Sequence, residues 1–192
     1  MISEENASAM PDCQSEVVYR IDLNDCLVFF NDQWDRFALE NDGSHLTSDK
    51  INQRPIWDFI HDAETRHLHE MLLRRVRANH PIAKLPFRCD SPSLRRYMEM
   101  DIVPLVDGKI EYRCRVLKTQ SRKPVPVISA HAQEGMPLLR VCSWCKKVDV
   151  GHNSWLEVEE AIGSLGLFSK AISPRISHTI CDGCLGNYDD DD

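Results

Sequence analysis

The stretch YMEMDIVPLVDGKIEYRCRV, residues 97–116, decides the fold because it holds two alternating segments around one turn. Apolar and polar side chains alternate before and after Asp107-Gly108, which is the period of a β-strand. An Asp-Gly pair between two such segments is a hairpin signal. The stretch therefore predicts an antiparallel hairpin with one apolar face.

The length of the turn sets which residues face each other in this hairpin. A two-residue turn would pair Ile102 with Arg113 and place a charge on the apolar face. A three-residue turn over residues 106–108 puts Gly108 at the position that favours a left-handed backbone, and both faces then match. The predicted pairs are Met100 with Cys114, Ile102 with Tyr112, Glu99 with Arg115, and Asp101 with Arg113.

Further strands and helices are expected upstream of the hairpin. Residues 17–23 and 26–30 read as two strands joined by a turn, and Asn31 can cap a short helix after them. A longer helix should begin at Asp62 and end before Pro81. Another strand is expected over residues 84–89.

The order of these elements, and the residues in them, resemble a PAS domain. YRIDLNDCLVFFNDQWDRFALEN resembles its opening, RPIWDFI the segment before its long helix, and FRCDSPSLRRYMEMDIVPLVDGKIEYRCRVL its closing strands. The resemblance implies a five-stranded antiparallel sheet with helices on one face, enclosing a sensory pocket of unknown ligand. The cysteine motif of flavin-binding PAS domains is absent. A haem held by His67 or His69 is a weaker alternative.

Two CxxC pairs follow, CSWC at residues 142–145 and CDGC at residues 181–184, separated by 35 residues. Each pair can present two thiolates to one ion, and two pairs complete a tetrahedral site. The predicted metal ligands are Cys142, Cys145, Cys181 and Cys184. Zinc is favoured because a four-thiolate site is closed and structural, and an iron–sulfur cluster remains the alternative.

The residues around these pairs resemble a C-terminal module found after PAS or receiver domains in bacterial signalling proteins. That module is expected to read ISHGIC and then a Pro-containing spacer, whereas Thr179 and Asp182-Gly183 stand here. His178 is interpreted as a residue that supports a thiolate rather than as a ligand. Ser154 with Glu157 predicts a capping box at the start of a helix.

Composition narrows the classes of function. The 192-residue chain is 42% hydrophobic and carries a net charge of −7, and no apolar run reaches the length of a membrane helix. Its first residues lack the basic start and apolar stretch of a secretory signal, so we expect a cytoplasmic protein with reduced thiols. From Leu138 onward, five Lys and Arg face nine Asp and Glu, which argues against binding nucleic acid.

The sequence thus predicts an α+β protein with a PAS-like sheet and a small zinc-ribbon-like module. Its expected segments are a disordered terminus (1–15), the PAS-like domain (16–120), a linker (121–137), the metal module (138–186) and an acidic disordered tail (187–192).

No catalytic constellation is recognisable, so we expect a bacterial sensory or regulatory adaptor rather than an enzyme. Output would pass through a homodimer or a separate kinase or regulator. The alternatives are an iron–sulfur redox sensor and a zinc-ribbon regulator that binds nucleic acid. Tyr19 and Val125 mark the sheet edge expected to form contacts.

Overall fold

The computed structural model describes residues 16–124, 138–166 and 175–186. The expected disordered ends, most of the expected linker, and Val125 lie outside these residues. Within them, no helix is both long and apolar enough to cross a bilayer.

Five antiparallel strands form the first sheet, in the order β2-β1-β5-β4-β3, which confirms the expected antiparallel sheet in a mixed helix and strand architecture. Helical side chains such as Leu68 and Leu72 cover the face that carries Ile102 and Ile110. The opposite face carries charged pairs, including Arg20 with Glu111. The elements are β1 (Val17–Ile21), β2 (Leu27–Phe30), α1 (Asp32–Glu40), α2 (Ser48–Ile51), α3 (Ala63–Arg77), β3 (Ile82–Arg88), β4 (Leu94–Pro104) and β5 (Ile110–Ser121).

The register of the β4–β5 hairpin is the predicted one. Met100 faces Cys114, and Ile102 faces Tyr112 on the apolar side. The turn contains Asp107 and Gly108 with φ of 59° and 69°, so both occupy the left-handed region. At Gly108 a Cβ atom would stand 2.6 Å from Leu23 Cδ1, which adds a steric reason for glycine.

Two predicted helix starts are also confirmed. The Asn31 side chain accepts a hydrogen bond from the Trp34 N–H at 3.2 Å, and Asp62 does the same for Thr65 at 2.7 Å. Each carboxamide or carboxylate satisfies a backbone donor that has no partner within the first helical turn.

The expectation that β1 is a free sheet edge is wrong. β1 lies between β2 and β5, and Tyr19 stacks on Tyr112 with ring centroids 4.5 Å apart. Alternating sequence shows that a segment is a strand but not where it enters the sheet. The edge strands of this sheet are β2 and β3, and the Leu27 N–H of β2 already donates to Arg54 O at 2.9 Å.

A second sheet of four strands has the order β8-β7-β6-β9. β6 and β9 run parallel, whereas the other two pairings are antiparallel. The elements are β6 (Leu138–Cys142), β7 (Val148–Asp149), β8 (Trp155–Leu156), α4 (Val158–Leu165), β9 (Arg175–Thr179) and α5 (Asp182–Leu185).

The predicted capping box is wrong, because α4 begins after Glu157 and not after Ser154. Trp155 belongs to β8 and faces Asp149 of β7. The Glu157 side chain makes no capping bond and instead accepts from Arg88. A partner 69 residues away in the chain therefore overrides the local pattern.

The two sheets share one apolar cluster. Its members from the cysteine-containing part are Cys142, Trp144, Ile180 and Cys181. They pack with α3 and the first sheet, including Leu68, Leu72, Leu85 and Ile102. The cysteine-containing part therefore packs against the first sheet and α3 and shares a hydrophobic core with them.

Candidate metal centre and adjoining cavity

The four predicted cysteines meet at one point, where their sulfur atoms all lie within 4.8 Å of one another. Cys145 Sγ and Cys181 Sγ are 3.7 Å apart. Cys142 and Cys181 are buried, and the other two are half-buried. Four sulfurs at this spacing can hold a metal ion such as zinc.

The first pair is positioned by the tight turn between β6 and β7. The Cys142 N–H donates to Lys147 O at 2.8 Å, and the Lys146 N–H donates to Cys142 O at 3.0 Å. Lys146 has φ of 60°, the left-handed conformation that closes such a turn. Both sulfurs therefore point to the same side of the loop.

The second pair is delivered by β9. Because β9 runs parallel to β6, with Cys142 opposite Thr179, both strands end at the same place. Cys181 then leads into α5, and the Cys184 N–H donates to Cys181 O at 2.9 Å. The Cys181 N–H also donates to Cys142 Sγ at 3.5 Å, which stabilises a thiolate there.

The thiols influence one another strongly. Hydrogen bonds from Cys145 and Cys184 lower the pKa of Cys142 far below its usual value. The hydrogen bond to Cys142 in turn raises the pKa of Cys145 to about 11, and that of Cys184 rises further for the same reason. One thiolate thus forms easily and disfavours the next, so four thiolates at this point require a cation.

His178 does not belong to the sulfur cluster. It is an exposed residue of β9 that faces a neighbouring cavity, and among the described residues no hydrogen bond joins it to a cysteine sulfur. His67 is also exposed, whereas His69 donates from Nδ1 to Thr65 O at 3.0 Å and lines the same cavity. Burial lowers the pKa of His69 and favours the neutral ring.

The loop of the first pair is anchored to the rest of the protein on two sides. The Trp144 carbonyl accepts from the Arg88 N–H at the end of β3, at 2.8 Å. The hydroxyls of Ser143 and Thr65 of α3 are 3.1 Å apart, and the Trp144 ring meets the His69 ring edge-on with centroids 6.1 Å apart.

A charged cluster ties the cysteine-containing part to β3 and β4. Arg88 Nη1 donates to both carboxylate oxygens of Glu157, at 3.0 and 2.9 Å, and its other nitrogens donate to Asp90. Arg95 pairs with Glu157 and Glu159. The Arg88 side chain is only 7% exposed, so these bonds are largely shielded from water.

A cavity of about 490 Å³ lies between the first sheet and the cysteine loop. Most of its wall is apolar and comes from the sheet and the segments around α2, for example Leu27, Ile56, Leu85 and Met100. Polar side chains from α3 and the residues just before it, from the cysteine loop and from β9 complete it: His61, Asp62, Thr65, His69, Ser143, Lys146 and His178.

This combined wall could not be predicted from the sequence, because its residues come from distant segments. The resemblance implied a pocket over the sheet, but not that Trp144, Lys146 and His178 would line it. Partial burial lowers the pKa of Lys146, and its Nζ donates to Ser143 O at 2.6 Å. The one available signal was the pair of lysines directly after CSWC.

Comparison with protein-family models and with curated proteins finds no match to this chain. Any functional assignment must therefore rest on the geometry of the site. That geometry consists of a four-sulfur cluster, a cavity beside it, and a charged cluster that joins both to the first sheet.

Proposed function

We propose that this chain is a PAS-type sensory or regulatory protein of the bacterial cytoplasm with a structural zinc site. It binds a small molecule in its cavity and acts through contact with another protein. The main support for this proposal is that the five-stranded sheet lines one side of the cavity and the cysteine loop lines the other. A ligand there touches both parts at once.

The strand order and the helices on one face support the PAS assignment. The closing hairpin of the resemblance is present as β4 and β5, and the cavity lies on the face covered by helices. A volume of about 490 Å³ is within the usual range for small-molecule sites.

The sulfur spacing favours a single ion over a multi-iron cluster. Around one zinc with bonds of about 2.3 Å, tetrahedral geometry separates the sulfurs by about 3.8 Å. The separation of Cys145 and Cys181 is 3.7 Å, and all four sulfurs stay within 4.8 Å. A [4Fe–4S] cluster gives each cysteine its own iron, and a [2Fe–2S] cluster divides the four cysteines between two irons, so either needs a wider cage.

The same features support a regulatory role over catalysis. Four protein thiolates fill a tetrahedral site and leave no open position for a substrate. The net charge of −7 and the carboxylates around α4 disfavour nucleic acid as a partner. The partner would be a kinase, another regulator or a second copy of this chain.

Two measurements on the purified full chain test the proposal. Elemental analysis should find about one zinc per chain and a colourless protein, and Cys145→Ser should lose the metal, whereas Cys26→Ser should keep it. Iron in the protein, with an absorption band at about 400 nm, would show that the four cysteines hold a redox centre and not zinc.

Native mass spectrometry against a metabolite mixture should then detect a bound small molecule. Blocking the cavity with Met100→Trp should abolish that binding while the zinc stays in place. Binding that survives the block, or a complete absence of ligands, would contradict the sensory role.

A further inference from the structure

We infer that the cavity takes an amphipathic carboxylic acid, with its apolar body against the sheet and its carboxylate at Lys146 of the cysteine loop. This inference rests on the proposed sensory function and names the ligand class of the same cavity. It assigns to the cysteine loop a direct part in ligand binding, in addition to holding the metal.

The interior of the cavity selects an apolar body. Leu27, Ile51 and Leu85 are almost completely buried and line it together with rings such as Tyr19 and Trp34. Tyr19 and Trp34 meet edge-on at 5.1 Å, so their positions are fixed by packing. An aromatic or aliphatic group gains from leaving water here, whereas a polar group would lose its hydrogen bonds.

The polar side chains lie together on the side of α3 and the cysteine loop. Thr65 contacts Ser143, and Lys146 donates to Ser143 O. His61 and His178 are exposed residues that also line the cavity, which places them at its mouth. The cavity therefore has an apolar interior and a polar opening, which matches a ligand with one polar end.

Lys146 decides the charge of that polar end. Its ammonium group has three donors, and Ser143 O takes one of them at 2.6 Å. Among the described residues it forms no ion pair, and the nearby carboxylate of Asp90 is bound by Arg88 and Arg122. A half-buried cation with donors to spare favours an anionic acceptor.

Asp62 is the carboxylate that lines the cavity, and its role is already filled. Its Oδ1 accepts the Thr65 N–H at 2.7 Å as the cap of α3. It thus serves the helix end rather than acting as a counter-ion for a ligand cation.

Three ligands that share one ring system and differ only in the polar end test the inference. Naphthylacetate, naphthylethanol and naphthylethylamine are titrated calorimetrically into the zinc-loaded full chain. We expect the acid to bind about tenfold or more tightly than the alcohol, since a hydrogen bond to a charged group is stronger than one between neutral groups. The amine should bind most weakly.

Lys146→Met should remove the advantage of the acid over the alcohol. Lys147→Met is the matched control, because it removes a charge from the next position without touching the cavity lining, and it should preserve the preference. Zinc content of each variant is measured alongside, and the wild-type series decides the question even where a variant loses metal.

The outcomes separate the ligand class from the function. An alcohol or amine that binds as tightly as the acid overturns the carboxylate assignment and leaves the sensory function standing. An acid preference that survives Lys146→Met overturns the role of that lysine. Binding of no naphthyl compound overturns the inference, and the metabolite measurement then decides the proposed function by itself.

Discussion

Replacing Arg88 with Met removes the charged group that joins β3 to the cysteine-containing part, while keeping the length of the side chain. Arg88 is 7% exposed and donates to both Asp90 and Glu157. Removing one partner of a buried pair costs about 3–5 kcal/mol, because the other charge stays buried. Asp90 keeps Arg122 at 3.4 Å, and Glu157 is partly exposed to water, so we expect about 3 kcal/mol.

The assay is urea unfolding of the zinc-loaded protein, followed by hydrogen exchange of α4 and the cysteine loop. Arg66→Met is the control, since the Arg66–Glu70 pair on α3 has side chains 48% and 39% exposed and should contribute less than about 1 kcal/mol. Arg88→Met should also speed metal loss to a chelator, because it removes the side-chain bonds to Glu157 that tie the cysteine-containing part to β3. Equal unfolding midpoints for the two variants would refute the argument that this cluster holds the parts together.

Two further changes test the centre and the outer sheet face. Cys181→Ser should lose the metal and expose residues 138–166 and 175–186 to hydrogen exchange, while β4 and β5 stay protected; unchanged protection would contradict a structural role for the metal. Burial alone would raise the pKa of Glu111, but bonds from Arg20 and Arg113 outweigh it and lower the pKa. Its stabilisation is therefore present above the unfolded-state pKa and is lost as pH falls through the lowered one. Glu111→Gln should cost about 1–2 kcal/mol at pH 7 and almost nothing at pH 2 in chemical unfolding, and a gap that persists at pH 2 would exclude this origin.

The hairpin and the cysteine cluster were predictable because their information is local. Asp107-Gly108 sets the turn, and the pairing of Glu99 with Arg115 allows only one register. Two CxxC pairs likewise predict that four thiols converge, whatever sequence lies between the pairs. In each case the deciding residues are close in the chain or chemically distinctive.

The features that sequence could not supply depend on contacts between distant segments. Glu157 looks like a capping residue until Arg88 is placed beside it. Tyr19 is predicted to lie on an edge strand, but β1 pairs with β5 in the structure. The wall that the cysteine loop adds to the cavity could likewise not be predicted from the sequence, because α3, β4 and the cysteine loop meet only in the folded chain.

Because β6 pairs with β9 in parallel, the fold constrains some spacings between cysteines and leaves others free. The spacing from Thr179 to Cys181 cannot change, because Cys142 and Thr179 are opposite each other in the sheet. A shift of one residue would turn the Cys181 side chain to the other face. Ahead of β9, most of the 35 residues between the two pairs carry no such constraint, since a crossover need only bring its strand back to the same end. Relatives of this chain should therefore be sought by the short spacings within each half of the signature, with the stretch between them left free to grow or shrink.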